Sequence, residues 1–202
     1  MADQPPQRRR QARGERRIEL LLDAAAEVFG EVGYAAATTN AIAARAASSP
    51  GTLYQFFPNK VEIARALSER YLRQLQQTQR KALAVEHADL PLTELIDAMV
   101  DPVIDFNLSN PGFQALFNAP DEQVATKPLH VREAVIERLS AIFAARAPEL
   151  PKDQRVRSAR VLVGVFRGVL PLIIGTKGAE RAAVIGELKR ICHDYLTPLI
   201  GA

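Results

Sequence analysis

Apolar side chains recur at three- and four-residue intervals along almost the whole chain, and no stretch alternates apolar and polar positions in the manner of a half-buried strand. The pattern predicts an all-α protein. A first helix is expected over residues 16–29, with Ile18, Leu21, Leu22, Ala25, Val28 and Phe29 on one face. Gly30 and Gly33 should end it, and Gly33 before Tyr34 reads as a left-handed stop. Two short helices are expected between residues 38 and 56, because Ala46-Ala47-Ser48-Ser49-Pro50-Gly51 contains a turn and a fresh start. Thr38 or Thr39 can cap the first through a side-chain oxygen. Ser49 can cap the second, and Pro50 at its first position gives up an N–H that had no partner there. Asn59 caps a long helix over 60–83, after which the charged, poorly periodic stretch 86–91 closes the N-terminal half.

The remainder predicts a bundle over 92–108, 112–117, 128–147, 152–175 and 179–199, with prolines falling between most of the segments. In 92–108, Asp97, Asp101 and Asp105 lie opposite the apolar centre, so they read as a solvated face, and Pro102 should kink the helix. The segment 156–174 is different. Its apolar residues cover more than half the helical circumference, so it must be covered on two sides, and Gly164 and Gly168 would permit close backbone approach. The next helix has a wide apolar face as well. Gly164, Gly168, Val184, Leu188, Ile191 and Tyr195 are therefore the candidate positions of a symmetric homodimer interface.

Composition changes this picture in one respect. The 202 residues hold 26 basic and 23 acidic side chains, a net charge of +3. Residues 1–79 carry 11 basic and 8 acidic side chains, so they account for the whole surplus. Residues 1–17 alone hold 6 basic against 2 acidic, and 1–15 read as a basic flexible arm without an apolar face. No run reaches the roughly 18 consecutive apolar residues of a membrane span, so no membrane partner is expected. The single Cys192 excludes an internal disulfide and fits a reducing compartment. Catalytic and metal sites are expected to be absent, as are cofactors: the three histidines and Cys192 lack ligand spacing, and neither a nucleophile elbow nor a glycine-rich phosphate loop occurs.

Two short helices joined by a tight turn, between two supporting helices, form the arrangement that sets a recognition helix into the DNA major groove. Leu53 and either Phe56 or Phe57 face the core, which leaves Gly51, Thr52 and Gln55 exposed, and glutamine can pair with adenine through two hydrogen bonds. Lys60 adds its charge at the start of a helix, a place suited to phosphate. Thr39 and Asn40 lie in the first turn of the preceding helix and can reach the backbone too.

The string Ala24-Ala25, Phe29, Gly33-Tyr34, Thr38-Thr39, Ile42-Ala43, Ala46 and Gly51-Thr52-Leu53-Tyr54, followed by Phe57 and Asn59-Lys60, resembles the DNA-binding domain of TetR-type transcriptional regulators. The resemblance implies a helix-turn-helix domain over 16–60 and a ligand-binding and dimerisation domain over 61–202. It also assigns Tyr54 to a phosphate. The DNA-contact set is then Thr39, Asn40, Pro50, Gly51, Thr52, Tyr54, Gln55 and Lys60. By the same resemblance a bundle pocket would take a largely apolar small-molecule effector, with Met99, Phe106, Phe113, Phe117, His130 and Phe143 as candidate lining. The implied protein is a cytoplasmic bacterial repressor that binds a palindromic operator in double-stranded DNA as a dimer and is released by that effector. The competing reading is a helical ligand-binding or scaffold protein that retains the domain without operator binding. Two departures from the family pattern bear on it: Ala47 stands where glycine is usual, and Ser48 replaces an apolar plug.

Overall fold

The computed structural model describes residues 6–117, 119 and 129–201, with side chains described for 12–117, 119 and 132–201. Among the described residues the regular structure is entirely helical: α1 (Pro6–Ala36), α2 (Thr39–Arg45), α3 (Pro50–Phe56), α4 (Lys60–Ala82), a 3-10 turn (Val85–Asp89), α5 (Leu92–Ser109), α6 (Pro111–Phe117), α7 (Leu129–Arg146), α8 (Lys152–Gly175) and α9 (Gly178–Ile200). The all-α expectation holds, and α4 to α9 start and stop within about two residues of the positions read from the pattern.

The first helix departs from expectation at both ends. It begins at Pro6, so the segment read as a flexible arm is helical backbone from that residue on. Arginine and glutamine are good helix formers, and an apolar face is not required when a packed helix continues beyond them. At the other end the helix passes through Gly30 and breaks at Gly33, whose φ of 77° bears out the need for glycine. Its ψ of 162° is extended rather than left-handed helical, so the residue kinks the chain before a last turn to Ala36.

The chain divides into two compact units, 1–72 with 110–127 and 73–109 with 128–202. In the first, Leu21, Ala25, Phe29, Ile42, Ala43 and Leu53 are fully buried together with Ile63, Ala64 and Leu67 of α4. Each large side chain removed from water contributes about 1.5–3 kcal/mol. The Phe29 ring tilts against Tyr34 at 5.6 Å between centroids. The helix α6 belongs to this unit and not to the bundle in which the pattern placed it. Its Gly112 lies so close to α1 that an added Cβ would stand 2.6 Å from the Ala26 carbonyl oxygen and 2.8 Å from the Tyr71 hydroxyl. Proline spacing alone could not show that approach.

The second unit has its own core, built on Leu92, Leu95 and Ile96 of α5, Ile142 and Phe143 of α7, Ala159 and Ile173 of α8, and Leu188 and Leu196 of α9. Two polar clasps tie it together. Arg146, in the last turn of α7, donates to the carbonyl oxygens of Ile200 and Ala88 at 3.0 Å each, and to that of Leu90. Lys189 of α9 bridges Asp97 and Asp101 of α5 at 2.8 and 2.7 Å. Burial opposes the Lys189 charge, but its hydrogen bonds to the two carboxylates leave its pKa above the ordinary lysine value. Two of the three acids read as a solvated face therefore join α5 to α9. Periodicity located them on the polar side of α5 without revealing the lysine.

By length and composition α8 is the one described helix apolar enough to cross a membrane, although only 22% of its apolar window is buried within the chain. Arginines interrupt the run, which is why a criterion of uninterrupted apolar residues passes over it.

Candidate nucleic-acid interface

The turn between α2 and α3 is built from caps. Thr38 accepts from the Ala41 N–H at 3.1 Å and starts α2. After Arg45 the chain reverses through Ala47, whose φ is 47°, while the Ser48 N–H donates to the Ala43 carbonyl at 2.9 Å. Ser49 then accepts from the Thr52 N–H at 3.1 Å, and Pro50 opens α3. Ala47 therefore holds the left-handed position that its place in the family pattern implied. The Ser48 hydroxyl is buried without a hydrogen-bond partner in the protein, the physical cost of a polar side chain where the turn needs an apolar plug.

On α3, Leu53 is fully buried, Phe57 follows it into the core, and Phe56 is half-buried. The opposite face presents Pro50, Gly51, Tyr54 and Gln55, all exposed, with Tyr54 at 49%. Thr52 differs from expectation. It is half-buried, and its hydroxyl lies 2.9 Å from that of Ser49, so it belongs to the cap rather than to the open face. The Tyr54 hydroxyl meets the Thr39 hydroxyl at 2.9 Å, and Asn40 is exposed beside Thr39 on α2. Two hydroxyls from different helices thus sit together at the edge of the exposed α3 face.

Lys60 has a different setting from the one its position suggested. Its ammonium donates to the carbonyl oxygens of Tyr34, Ala35 and Ala37 at 2.9, 3.2 and 2.9 Å and lies 4.6 Å from the centre of the Tyr34 ring. All three donors close the end of α1 after the Gly33 break. What remains for a phosphate is the charge. One contributor was not singled out from the sequence: Arg45, at the end of α2, grips Glu27 at 2.8 Å and Glu31 at 2.6 Å on α1. Its hydrogen bond holds the Glu31 carboxyl below the usual carboxylate range. The four-residue spacing of the two acids was the available signal.

The candidate effector residues divide between the two units. Met99, Phe106 and Phe143 are buried in the second unit, Met99 and Phe143 within one apolar core. Phe113 and Phe117 lie on α6 in the first unit, where Phe113 meets Tyr71 edge-on at 5.7 Å and Phe117 at 5.9 Å. The side chain of His130 falls outside the described residues. The dimer candidates also divide. Gly164, Gly168 and Ile191 are exposed, and Val184 is half-buried. Leu188 is fully buried in its own core, and the half-buried Tyr195 donates its hydroxyl to Ser158 at 3.3 Å. A wide apolar face predicts that a helix is covered on two sides without saying which residue serves which side.

Residues 21–67 match the family described as bacterial regulatory proteins, tetR family, and residues 91–196 match the tetracyclin repressor-like C-terminal domain. The HTH-type transcriptional regulator UidR of Escherichia coli K12 is 28% identical over 188 residues, 88% of this chain and 91% of that protein. The HTH-type transcriptional activator FasR of Mycolicibacterium smegmatis is 34% identical over 146 residues, 67% of this chain and 65% of the relative. A crystal structure of a TetR-family transcriptional regulator from Streptomyces coelicolor superimposes with a TM-score of 0.61 at 29% identity, covering 91% of this chain and 99% of that one. Fold and capped turn define a helix-turn-helix DNA-binding regulator. The chain belongs to the TetR family, whose members are ligand-responsive, DNA-binding regulators of transcription.

Proposed function

We propose that this chain is a cytoplasmic repressor that binds a palindromic operator as a homodimer and is released by a small, largely apolar effector. One observation carries the DNA contact: the Tyr54 and Thr39 hydroxyls, 2.9 Å apart, lie beside exposed Gln55 and Gly51 while Leu53 and Phe57 fill the core. In this reading α3 enters the major groove, Gln55 reads an adenine, and the paired hydroxyls share a phosphate. Asn40 and the α3 N-terminus with Pro50 follow the backbone, and Thr52 and Lys60 hold the frame.

The homodimer reading rests on α8 and α9, where Gly164, Gly168, Val161, Leu172 and Ile191 leave apolar or backbone surface open. The effector region is the apolar core around Met99 and Phe143. A ligand that prefers a conformation with misplaced recognition helices lowers operator affinity by its differential binding alone. Activation is the second reading, favoured by the printed name of the FasR relative.

A mobility-shift titration against the DNA upstream of the gene tests the proposal. The expected result is a saturable complex on a palindromic segment, weakened about tenfold by Tyr54→Phe with Thr39→Ala, with the melting temperature unchanged. Binding equal on random duplex, or untouched by the double substitution, overturns the contact assignment and leaves the scaffold reading. Transcription from that promoter in a strain lacking the gene separates repression, where it rises, from activation, where it falls.

A further inference from the structure

Two charge patterns of opposite sign run along α1, and among the described residues only one is answered within the protein. Glu15, Glu19, Asp23, Glu27 and Glu31 recur every four residues. Arg70 of α4 binds Glu19 and Asp23 at 3.0 and 2.7 Å, and Arg45 of α2 binds Glu27 and Glu31 at 2.8 and 2.6 Å. Four of these five acids are thereby paired. At the other end, Arg13 and Arg16 are exposed and Arg17 is half-buried, and none of the three forms an ion pair among the described residues. The backbone is helical from Pro6 onward. In that register positions 9, 10, 13, 16 and 17 fall within an arc of about 120°, and position 15 falls outside it.

The recognition domain itself lacks the charge that a polyanion would favour. Residues 18–60 hold two basic and four acidic side chains. Without residues 1–17 the whole chain would carry 20 basic and 21 acidic side chains, a net charge of −1. The N-terminal arginines are therefore the largest cluster of positive charge in the first 60 residues, and the exposed groups of α3 are uncharged. Their place on α1 bears on where they act. At 1.5 Å per residue Arg13 lies about 21 to 27 Å along the helix from Glu27 and Glu31, which Arg45 of α2 grips, so the arginines sit at the end of α1 remote from α2.

We infer that the N-terminal arginines of α1 form a second, sequence-independent DNA contact, on phosphates flanking the half-site that α3 reads. This rests on the DNA-binding reading above. The guanidinium fork suits phosphate, and the segment has no apolar arc with which to enter a lipid surface.

The test uses the full chain and a variant carrying Arg9→Gln, Arg10→Gln, Arg13→Gln and Arg16→Gln, since glutamine keeps helix propensity. Fluorescence anisotropy on a random duplex of about 40 base pairs, and on the upstream DNA, is followed from about 50 to 300 mM KCl. The expected outcome on both DNAs is a salt slope smaller in magnitude by about 2 to 4, with at least about tenfold weaker binding at low salt. The preference for operator over random duplex should persist, and hydroxyl-radical protection should recede from the outer flanks. An unchanged slope overturns the inference, and so does a full chain that ignores random duplex at low salt. Binding of the full chain to phosphatidylserine vesicles with an unchanged DNA slope would reassign the segment to a membrane surface. A salt slope that depends on the arginines without any operator preference would instead sink the proposed function and spare the arm. Should the fourfold variant melt early, deletion of residues 1–10 repeats the measurement.

Discussion

The Lys60 ammonium donates to the Tyr34 carbonyl at 2.9 Å and lies 4.6 Å from the centre of the same residue's ring. With further bonds to the carbonyls of Ala35 and Ala37, it closes the last turn of α1, which the Gly33 break leaves without intrahelical donors. The lysine joins the start of α4 to the end of α1, next to the Thr38 cap of α2. The lysine thus adds to the shared core and to the Arg45 and Arg70 ion pairs in fixing the relative placement of the three helices.

Lys60→Met should therefore destabilise the DNA-binding unit by about 2 kcal/mol, the usual scale for hydrogen bonds to a charged group. Urea unfolding followed by circular dichroism measures it. A lysine that served only a phosphate would leave stability untouched and lower operator affinity alone, so unchanged unfolding would refute the capping role.

The turn should respond in the opposite direction. Ala47 pays the left-handed penalty at φ 47°, and glycine there should gain about 1 kcal/mol. Ser48→Ala removes a buried hydroxyl that has no partner and should gain a similar amount. The two residues are adjacent, so the double variant can fall short of the sum. Thermal melts of the three variants settle this, and a lower melting temperature for Ala47→Gly would mean that the turn does not need its left-handed residue.

These residues also show how far the sequence reached. The caps Thr38, Ser49 and Asn59, the stop at Gly33 and the burial of Leu53 follow from local backbone chemistry, which depends on near neighbours and is therefore legible in one chain. The Lys60 carbonyl clamp, the Lys189 bridge to Asp97 and Asp101 and the seating of Gly112 against Ala26 join positions 23 to 92 residues apart. No periodicity encodes such partners. The candidate effector aromatics divide between the two units for that reason: Phe113 and Phe143 look alike in hydropathy, and the close approach of α6 to α1 goes with the place of Phe113 in the first unit.

Gly168 offers a test of the dimer face that its own chain does not confound. A Cβ added there meets nothing within 4 Å, and the residue is exposed. A side chain at this exposed position therefore starts in open space on the single chain, and leucine there probes whether a second copy occupies that space. Gly168→Leu should weaken dimerisation at least about tenfold in sedimentation equilibrium, moving the mass toward the 22.2 kDa of one chain. Operator affinity should fall with it, because each half-site needs its own recognition helix. A variant that remains fully dimeric would place the interface on another face.

Cys192 gives the last prediction, through its titration. It faces the core of the second unit from α9, and burial pushes its thiol up to about 11 from the ordinary 9.0. In the folded protein it is a neutral thiol across the physiological range, so iodoacetamide at about pH 8 should label it only through opening of the unit, and labelling should accelerate with urea. The pH dependence follows from the direction of the shift. Because the folded pKa exceeds the unfolded one, the stabilisation is complete below pH 9 and is lost as pH rises toward 11, where unfolding releases a proton that the folded state retains. Other groups titrate in the same window, so the comparison is with Cys192→Ala, which removes this group and leaves the rest. The original chain should lose stability more steeply than the variant between pH 9 and 11. Parallel curves would show that the thiol titrates as though it were exposed.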